Sequence, residues 1–198
     1  MSVMFRYNTN CWSDKLVGAR VVLKRMEPTQ EYADLFHQII SNNADHLMNS
    51  FAYLVHQINS PKAALAFLTA AYQDFLYEAR DDYGIFVGND FIGAVLVWGK
   101  RRADREIMYW LKEEACGYGY MHDALDLIEQ EHAKCAPYHI LFANVNTKAK
   151  ASAALLTTRG YDWDGLFFFK RPMSNEMSKT VVRSAMCLKP KYQERTHG

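Results

Sequence analysis

The chain predicts a mixed α/β fold in which helices flank a central, mostly antiparallel sheet containing one parallel pair. Three features predict it: helical stripes after a first β-branched run, a meander of apolar runs in the middle of the chain, and a strand, helix and strand succession after the meander. At 198 residues, 49% hydrophobic and 23% charged, the chain can build one self-sufficient core and is short for two; disordered, collagenous and disulfide-stapled classes do not fit. The expected organisation is an N-terminal segment over 1–18, a single domain over 19–189 and a basic tail over 190–198.

Ala19 to Arg25 is β-branched and bounded by Gly18 and Pro28, as a first strand should be. Thr29 can cap a helix whose face carries Tyr32, Leu35, Phe36, Ile39 and Ile40 and which Asn42 and Asn43 can end. A second stripe runs through Leu47, Met48, Phe51, Leu54, Val55 and Ile58. Ser60 before Pro61 starts a third, with Ala64, Phe67, Leu68, Ala71 and Phe75 on one side. Tyr83–Val87 and Phe91–Trp98 flank Gly88-Asn-Asp90, which is hairpin turn chemistry, and Glu106–Leu111 follows a polar loop from Lys100 to Arg105. After the glycines Gly117 and Gly119 comes a helix with Met121, Ala124, Leu125 and Ile128 on one face. Pro137 separates it from a strand over Tyr138–Val145, so the two strands around this helix should be parallel neighbours. A short helix from Ala149 to Thr158 and strands over Leu166–Lys170 and Thr180–Leu188 complete the order.

Twenty-three basic against 22 acidic residues leave a net charge of +1, which excludes a global field for nucleic acid or anionic membrane. The basic stretch from Lys170 to Gly198 is the local exception. Cys11, Cys116, Cys135 and Cys187 have no metal or redox spacing and read as reduced thiols, and no apolar run suits a membrane span or signal peptide; a cytoplasmic location is expected. The histidines form no HxxxH or HxH pair, so no metal is expected.

The chemically richest segment is Glu114 to Gly119 at the entrance to a helix. Paired glycines can turn backbone N–H groups outward beside the free N–H groups of a first helical turn, which suits phosphate oxygens; an ordinary tight turn is the alternative. A P-loop is excluded because GxxxxGK[ST] is absent. Cys116 near the helix N-terminus is a candidate nucleophile without a placed histidine partner.

Ile92-Gly93, Glu106-Ile-Met-Tyr-Trp-Leu111, Gly117-Tyr-Gly119-Tyr-Met121, Asp123-Ala-Leu125, Ser152 eight residues before Gly160-Tyr161, and Asp164-Gly165 occur in this order. In order and spacing they resemble the "IG", "aeiGYWL", "GxG", "teAl", "NxxS…GF" and "EG" segments of the GNAT acetyltransferases, in particular the branch with the ribosomal-protein N-terminal acetyltransferases. The resemblance spans roughly Ala19 to Leu188. It implies that acetyl-CoA, or another acyl-CoA, binds at a splay between two parallel strands, where an amine attacks the thioester in a ternary complex. Pantetheine amides would pair near Tyr109, Trp110 and Leu111, and the pyrophosphate would meet N–H groups from Cys116, Gly117, Tyr118, Gly119, Tyr120 and Met121. Lys112, Lys148 and Lys150 are candidates for the 3′-phosphate, with solvated surface lysines as the alternative.

Attack needs a neutral amine and therefore a proton acceptor, for which the resemblance points to Glu106; a salt bridge with Arg102 or Arg105 is the alternative. The sequence departs from the family where a tyrosine usually precedes the "GF" glycine by four residues: Leu156 stands there. Ser152 is the substitute donor to the departing thiolate unless it bonds its own helix backbone, with Tyr109 and Tyr161 as further candidates or packed aromatics. Ala149 replaces the family's asparagine, leaving Asn146 and then Asn144 as the nearest amides, and Glu114 stands where Gln or Arg is usual.

The acceptor is expected between Asn42–Asn59 and Met173–Lys179, where Asp45, Glu78, Asp81 and Asp82 can attract a cation or form a solvated face. The expected function is transfer of acetyl from acetyl-CoA to a primary amine on a small molecule or protein N-terminus. The rival is a noncatalytic acyl-CoA-sensing or protein-binding module on the same fold. Neither a membrane nor nucleic acid is expected as partner, and a homodimer is left open.

Overall fold

Two short strands open the fold: β1 (Lys15–Val17) turns back onto β2 (Val22–Arg25), with the Gly18 N–H bonded to the Val21 carbonyl. The computed structural model describes residues 12–99, 104–136, 139–146, 149–169 and 181–187, with backbone alone for 146, 162–169 and 181–187. Structure thus begins before Ala19, and the first expected strand starts only at Val22. The Thr29 side chain accepts the Tyr32 N–H and caps α1 (Gln30–Asn42). The second stripe is α2 (Ala44–Gln57), kinked at Phe51, and Ser60 caps α3 (Pro61–Leu76) through the Ala63 N–H. Leu35 and Met48, placed on apolar faces by spacing, are exposed.

The meander forms β3 (Arg80–Val87), β4 (Asp90–Trp98) and β5 (Arg105–Leu111), all antiparallel. A 3-10 turn, Glu113–Ala115, leads through the glycines into α4 (Tyr120–Cys135), then β6 (Leu141–Asn146) and α5 (Lys150–Thr158). The closing strands are β7 (Asp162–Phe169), which begins earlier than expected, and β8 (Val181–Cys187). Among the described residues one eight-stranded sheet runs β1-β2-β3-β4-β5-β6-β8-β7, and its parallel pair is β5 with β6. The expected tail, like Cys11, Arg102, Lys148 and Met173–Lys179, lies outside the described residues.

Helices cover both faces, as the near-continuous burial of β3 and β4 requires. Ile107 and Leu111 join Val95, Val97, Ala143 and Val145 in a core closed by α4 and α5. Trp110, Ala94 and Leu96 join Phe36, Leu54 and Phe67 in a second core under α1 to α3. Gly93 is required between these layers, because a Cβ there would collide with the Trp110 carbonyl on the neighbouring strand.

β3 starts three residues earlier than its apolar run, and its polar start is buried. Asp81, fully inaccessible, lies 2.8 Å from Arg25 Nη1 and 2.9 Å from Arg105 Nη2, while Asp82 pairs with Arg80. Arg25 also donates to the Trp12 carbonyl, and Tyr83 donates its hydroxyl to the Ser13 carbonyl, which straps residues 12–14 across the sheet end. His132 is buried beside Trp12, with Nε2 2.9 Å from the His139 carbonyl, so the neutral ring carries its hydrogen on Nε2.

Two outcomes follow for stability. Asp81→Asn leaves two buried guanidinium groups facing a neutral amide and is expected to destabilise the fold by about 3–5 kcal/mol in urea denaturation. Burial holds the His132 pKa below its ordinary value, so the unfolded chain takes a proton that the folded chain refuses. Stability from this group is complete above roughly pH 6.5 and is lost as pH falls toward the lowered folded value. His132→Phe should therefore flatten the decline of melting temperature on the acid side relative to the unsubstituted protein.

Candidate active site

The parallel strands separate soon after they meet. β5 and β6 pair at Arg105↔Leu141 and Glu106↔Phe142, and no further pair joins them among the described residues. The Lys112 N–H bonds the Ile92 carbonyl, so alternate residues Trp110, Met108 and Glu106 direct their backbone toward β4. The residues between them face the other way, as the bond from the Arg105 N–H to the Ile140 carbonyl shows. Beyond the last β5–β6 pair, the Ile107 C=O and the N–H and C=O groups of Tyr109 and Leu111 therefore border a wedge in which, among the described residues, β6 no longer pairs with β5. Trp110 does not: it is 3% exposed, packs against Phe36 and Phe91, and turns its backbone to β4.

The wedge opens toward the glycine loop. Gly117 and Gly119 have φ of 84° and 80°, a left-handed backbone that side chains resist, and nothing lies within 4 Å of where a Gly117 Cβ would stand. Gly119 is the N-cap of α4 and brings no side-chain bond, so the first-turn N–H groups of Tyr120 and Met121 have no cap from it. The Met121 side chain is core, whereas Tyr118 is exposed and stacks on Tyr120 at 5.8 Å. Both tyrosines line a cavity of about 260 Å³ with Lys112, Asp90 and Ile92, and Lys112 is held by Asp90 at 2.7 Å.

Arg20, which no motif singled out, fastens this loop. Its Nε and Nη2 bind the Asp123 carboxylate at 2.6 and 2.9 Å, and Nη1 donates to the Tyr118 carbonyl at 2.9 Å. The arginine holds the Asp123 carboxyl below its usual range. Tying down the Tyr118 carbonyl leaves the loop's N–H groups to face outward.

Glu106 and Asn144 meet at the start of the wedge, with Asn144 Nδ2 donating to Glu106 Oε1 at 2.7 Å. The alternative partner Arg105 is engaged by Asp81 and by the Val97 carbonyl. Asn146 ends β6, its Cα opposite Arg183. Ser152 lies in the first turn of α5, half-buried, and its carbonyl accepts the Tyr109 hydroxyl at 3.4 Å. Burial pushes the Tyr109 phenol up to about 12, and Tyr161 is raised further by burial and bonded to Glu129. Leu156, in the place of the expected tyrosine, is fully buried.

The turn between α1 and α2 is pinned beside this region by Asn43, which donates to the Ile39 carbonyl and accepts the Glu113 N–H, both at 2.9 Å. A cavity of about 330 Å³ is lined there by Asn42, Asp45, His46 and Glu113. Of the carboxylates expected to draw a cation, Asp45 lines this cavity. Asp81 and Asp82 do not face solvent, because both are consumed in buried ion pairs. The Cys116 thiol is pushed up by burial and then by Glu113 and Glu114, the reverse of an activated nucleophile. One His122, Asp123 and Asp126 group has metal-compatible spacing, with Arg20 on one carboxylate and Arg159 on the other. No helix of the described residues is long and apolar enough to cross a membrane.

Residues 20–162 match the family described as Acetyltransferase (GNAT) domain. No curated protein matches the sequence. Among solved structures, RimL, a ribosomal alpha-N-protein acetyltransferase in complex with coenzyme A, is 17% identical, with a TM-score of 0.74 over 86% of this chain and 94% of its own. MccE, a microcin self-immunity acetyltransferase with acetyl-CoA and AMP, is 18% identical with a TM-score of 0.74, covering 86% of this chain and 92% of its own. RimJ from Mycobacterium smegmatis, with a CoA disulfide, is 17% identical with a TM-score of 0.74 over 89% and 88%. At these identities the likeness is one of fold.

Arg20→Ala frees the Tyr118 carbonyl to turn into the loop mouth and is expected to weaken coenzyme A binding several-fold in calorimetry, with little change in melting temperature; unchanged binding would remove Arg20 from the site.

Proposed function

The chain belongs to the GNAT acetyltransferase family, and we propose that it moves an acetyl group from acetyl-CoA to a primary amine by direct attack in a ternary complex. The observation that carries this reading is the end of β5–β6 pairing at Glu106↔Phe142, which leaves a backbone edge free beside a carboxylate, on the strand that leads through the glycine loop to a helix start without a side-chain cap. That edge suits the amides of an extended pantetheine arm through Tyr109 and Leu111. The N–H groups from Cys116 to Met121, with glycines where side chains would crowd the approach, suit a pyrophosphate. Acetyl-CoA, held there, supplies the activated acyl group.

An amine of pKa near 10.4, or near 8 at a chain N-terminus, arrives mostly protonated and must lose its proton before attack. Glu106 is the base in this reading: it is half-buried on the α1–α3 side of the wedge, and one carboxylate oxygen is left without a bond among the described residues. Ser152 is the hydrogen-bond donor toward the departing sulfur, which leaves as a thiolate and takes its proton from solvent. Tyr109, raised to about 12, is a poor proton source at neutral pH and serves instead to tie β5 to α5. The acceptor enters past the α1–α2 turn, where Asp45 and Glu113 favour a cation. A protein N-terminus is the favoured class, since a relative of this fold from Salmonella typhimurium is described as modifying the N-terminal serine of a ribosomal protein.

Calorimetry with acetyl-CoA, followed by thiol release across peptides with free α-amines and small polyamines, tests the reading. Tight binding with turnover on one class is expected; binding without turnover on any amine points to an acyl-CoA-sensing module instead. Glu106→Gln is expected to lower kcat by roughly a hundredfold or more, with acetyl-CoA binding retained. Full activity across the pH range would dismiss Glu106 as the base.

A further inference from the structure

Asn144 is close in sequence to the missing cofactor asparagine, yet its side chain is spent elsewhere. Its neighbours Ala143 and Val145 pack into the core under α4, so Asn144 points to the α1–α3 face of the sheet. Glu106 projects to the same face, since Ile107 belongs to the α4 side. The two side chains meet across the mouth of the wedge, Glu106 from the last β5–β6 pair and Asn144 from two residues past its partner Phe142, at 2.7 Å between Asn144 Nδ2 and Glu106 Oε1.

Among the described residues the surroundings leave the carboxylate no second anchor. Trp98 stands opposite Glu106 on β4, and Met108, two residues along on the same face, accepts the Tyr53 hydroxyl at 3.0 Å. Among the described residues Glu106 has Asn144 as its one hydrogen-bond partner. A glutamate with several rotatable bonds is otherwise free to swing along the wedge, and a base that samples many positions loses the benefit of proximity. A donor to one oxygen fixes the plane of the carboxylate and leaves the second oxygen to be presented.

The geometry points to Asn144 as a positioning residue for acetyl transfer, holding Glu106 by one oxygen so that the other meets the acceptor amine. The inference rests on Glu106 being the base and assigns that base its support. Asparagine suits the task better than a cation would: an arginine or lysine here would repel an incoming ammonium, whereas a neutral amide orients the carboxylate without cancelling its charge.

The test is a double-substitution cycle on the full chain, with acetyl-CoA and a peptide bearing a free N-terminal serine, read as kcat and KM separately and accompanied by thermal melts. Asn144→Ala is expected to lower kcat on the order of tenfold with KM for acetyl-CoA unchanged. Asn144→Asp keeps the shape but sets like charges against each other, so it should lower kcat at least as far. In the Glu106→Gln background, Asn144→Ala should cost no more than about twofold, because residues acting as a unit are not additive. Losses that multiply, a change confined to KM, or wild-type kcat in both Asn144 variants would overturn the inference while leaving Glu106 as base. Full activity of Glu106→Gln alone would instead sink the base assignment, and the positioning role with it.

Discussion

Asp81 sits between Arg25 and Arg105 out of reach of water, joining β2, β3 and β5 at the end of the sheet where β5 and β6 are still paired. Burying three charges carries a heavy desolvation cost, offset only when their geometry is satisfied, so the triad tolerates few alternative arrangements. A one-residue slip of β5 would carry Arg105 to the opposite face and strand the carboxylate. Register at the base of β5 is thereby set, and with it the point at which pairing to β6 gives out. Every feature of the wedge above, from the free backbone edge to the position of Glu106, inherits its location from that lock.

The candidate site is built largely from main chain. A backbone edge, two left-handed glycines and a helix start need no particular side chain to present N–H and C=O groups, which agrees with a chain whose net charge is only +1. The named side chains work mainly by holding that main chain in place. Arg20 ties the loop to the helix, Asn43 ties the α1–α2 turn to the exit of β5, and Tyr109 ties β5 to α5.

Much of the fold was legible because caps and periods are local. Thr29, Ser60 and Pro61 marked helix starts correctly, and Gly88-Asn-Asp90 marked the hairpin, since each acts within a few residues of itself. What escaped depended on partners distant in sequence. Asp81 and Asp82 read as a cation-attracting or solvated face because the burial of Asp81 requires Arg25 and Arg105, more than twenty residues away on either side. β1 was hidden in the expected N-terminal segment because its pairing with β2 and the strap at Trp12, not its own pattern, holds it. In the site, the glycine loop and Glu106 were visible as motif, whereas Trp110 was assigned to the splay because a motif does not say which way a strand residue directs its amide. Arg20 had no local signature at all, and Asn144 stood out only as a substitute for the missing cofactor asparagine.

The two separate cores have a consequence for how such a protein can change. The wedge lies in the sheet itself, between the core closed by α4 and α5 and the core under α1 to α3; in the function proposed above, the acyl donor lies toward the first and the amine toward the second. Substitutions that reshape one layer are screened from the other by a full thickness of strands, so their effects on donor and acceptor should combine nearly independently. On the proposed function the sheet works as a partition between two inheritable properties: acceptor choice can drift in the α1–α3 layer while the donor site, written in the backbone of β5 and the glycine loop, stays as it is.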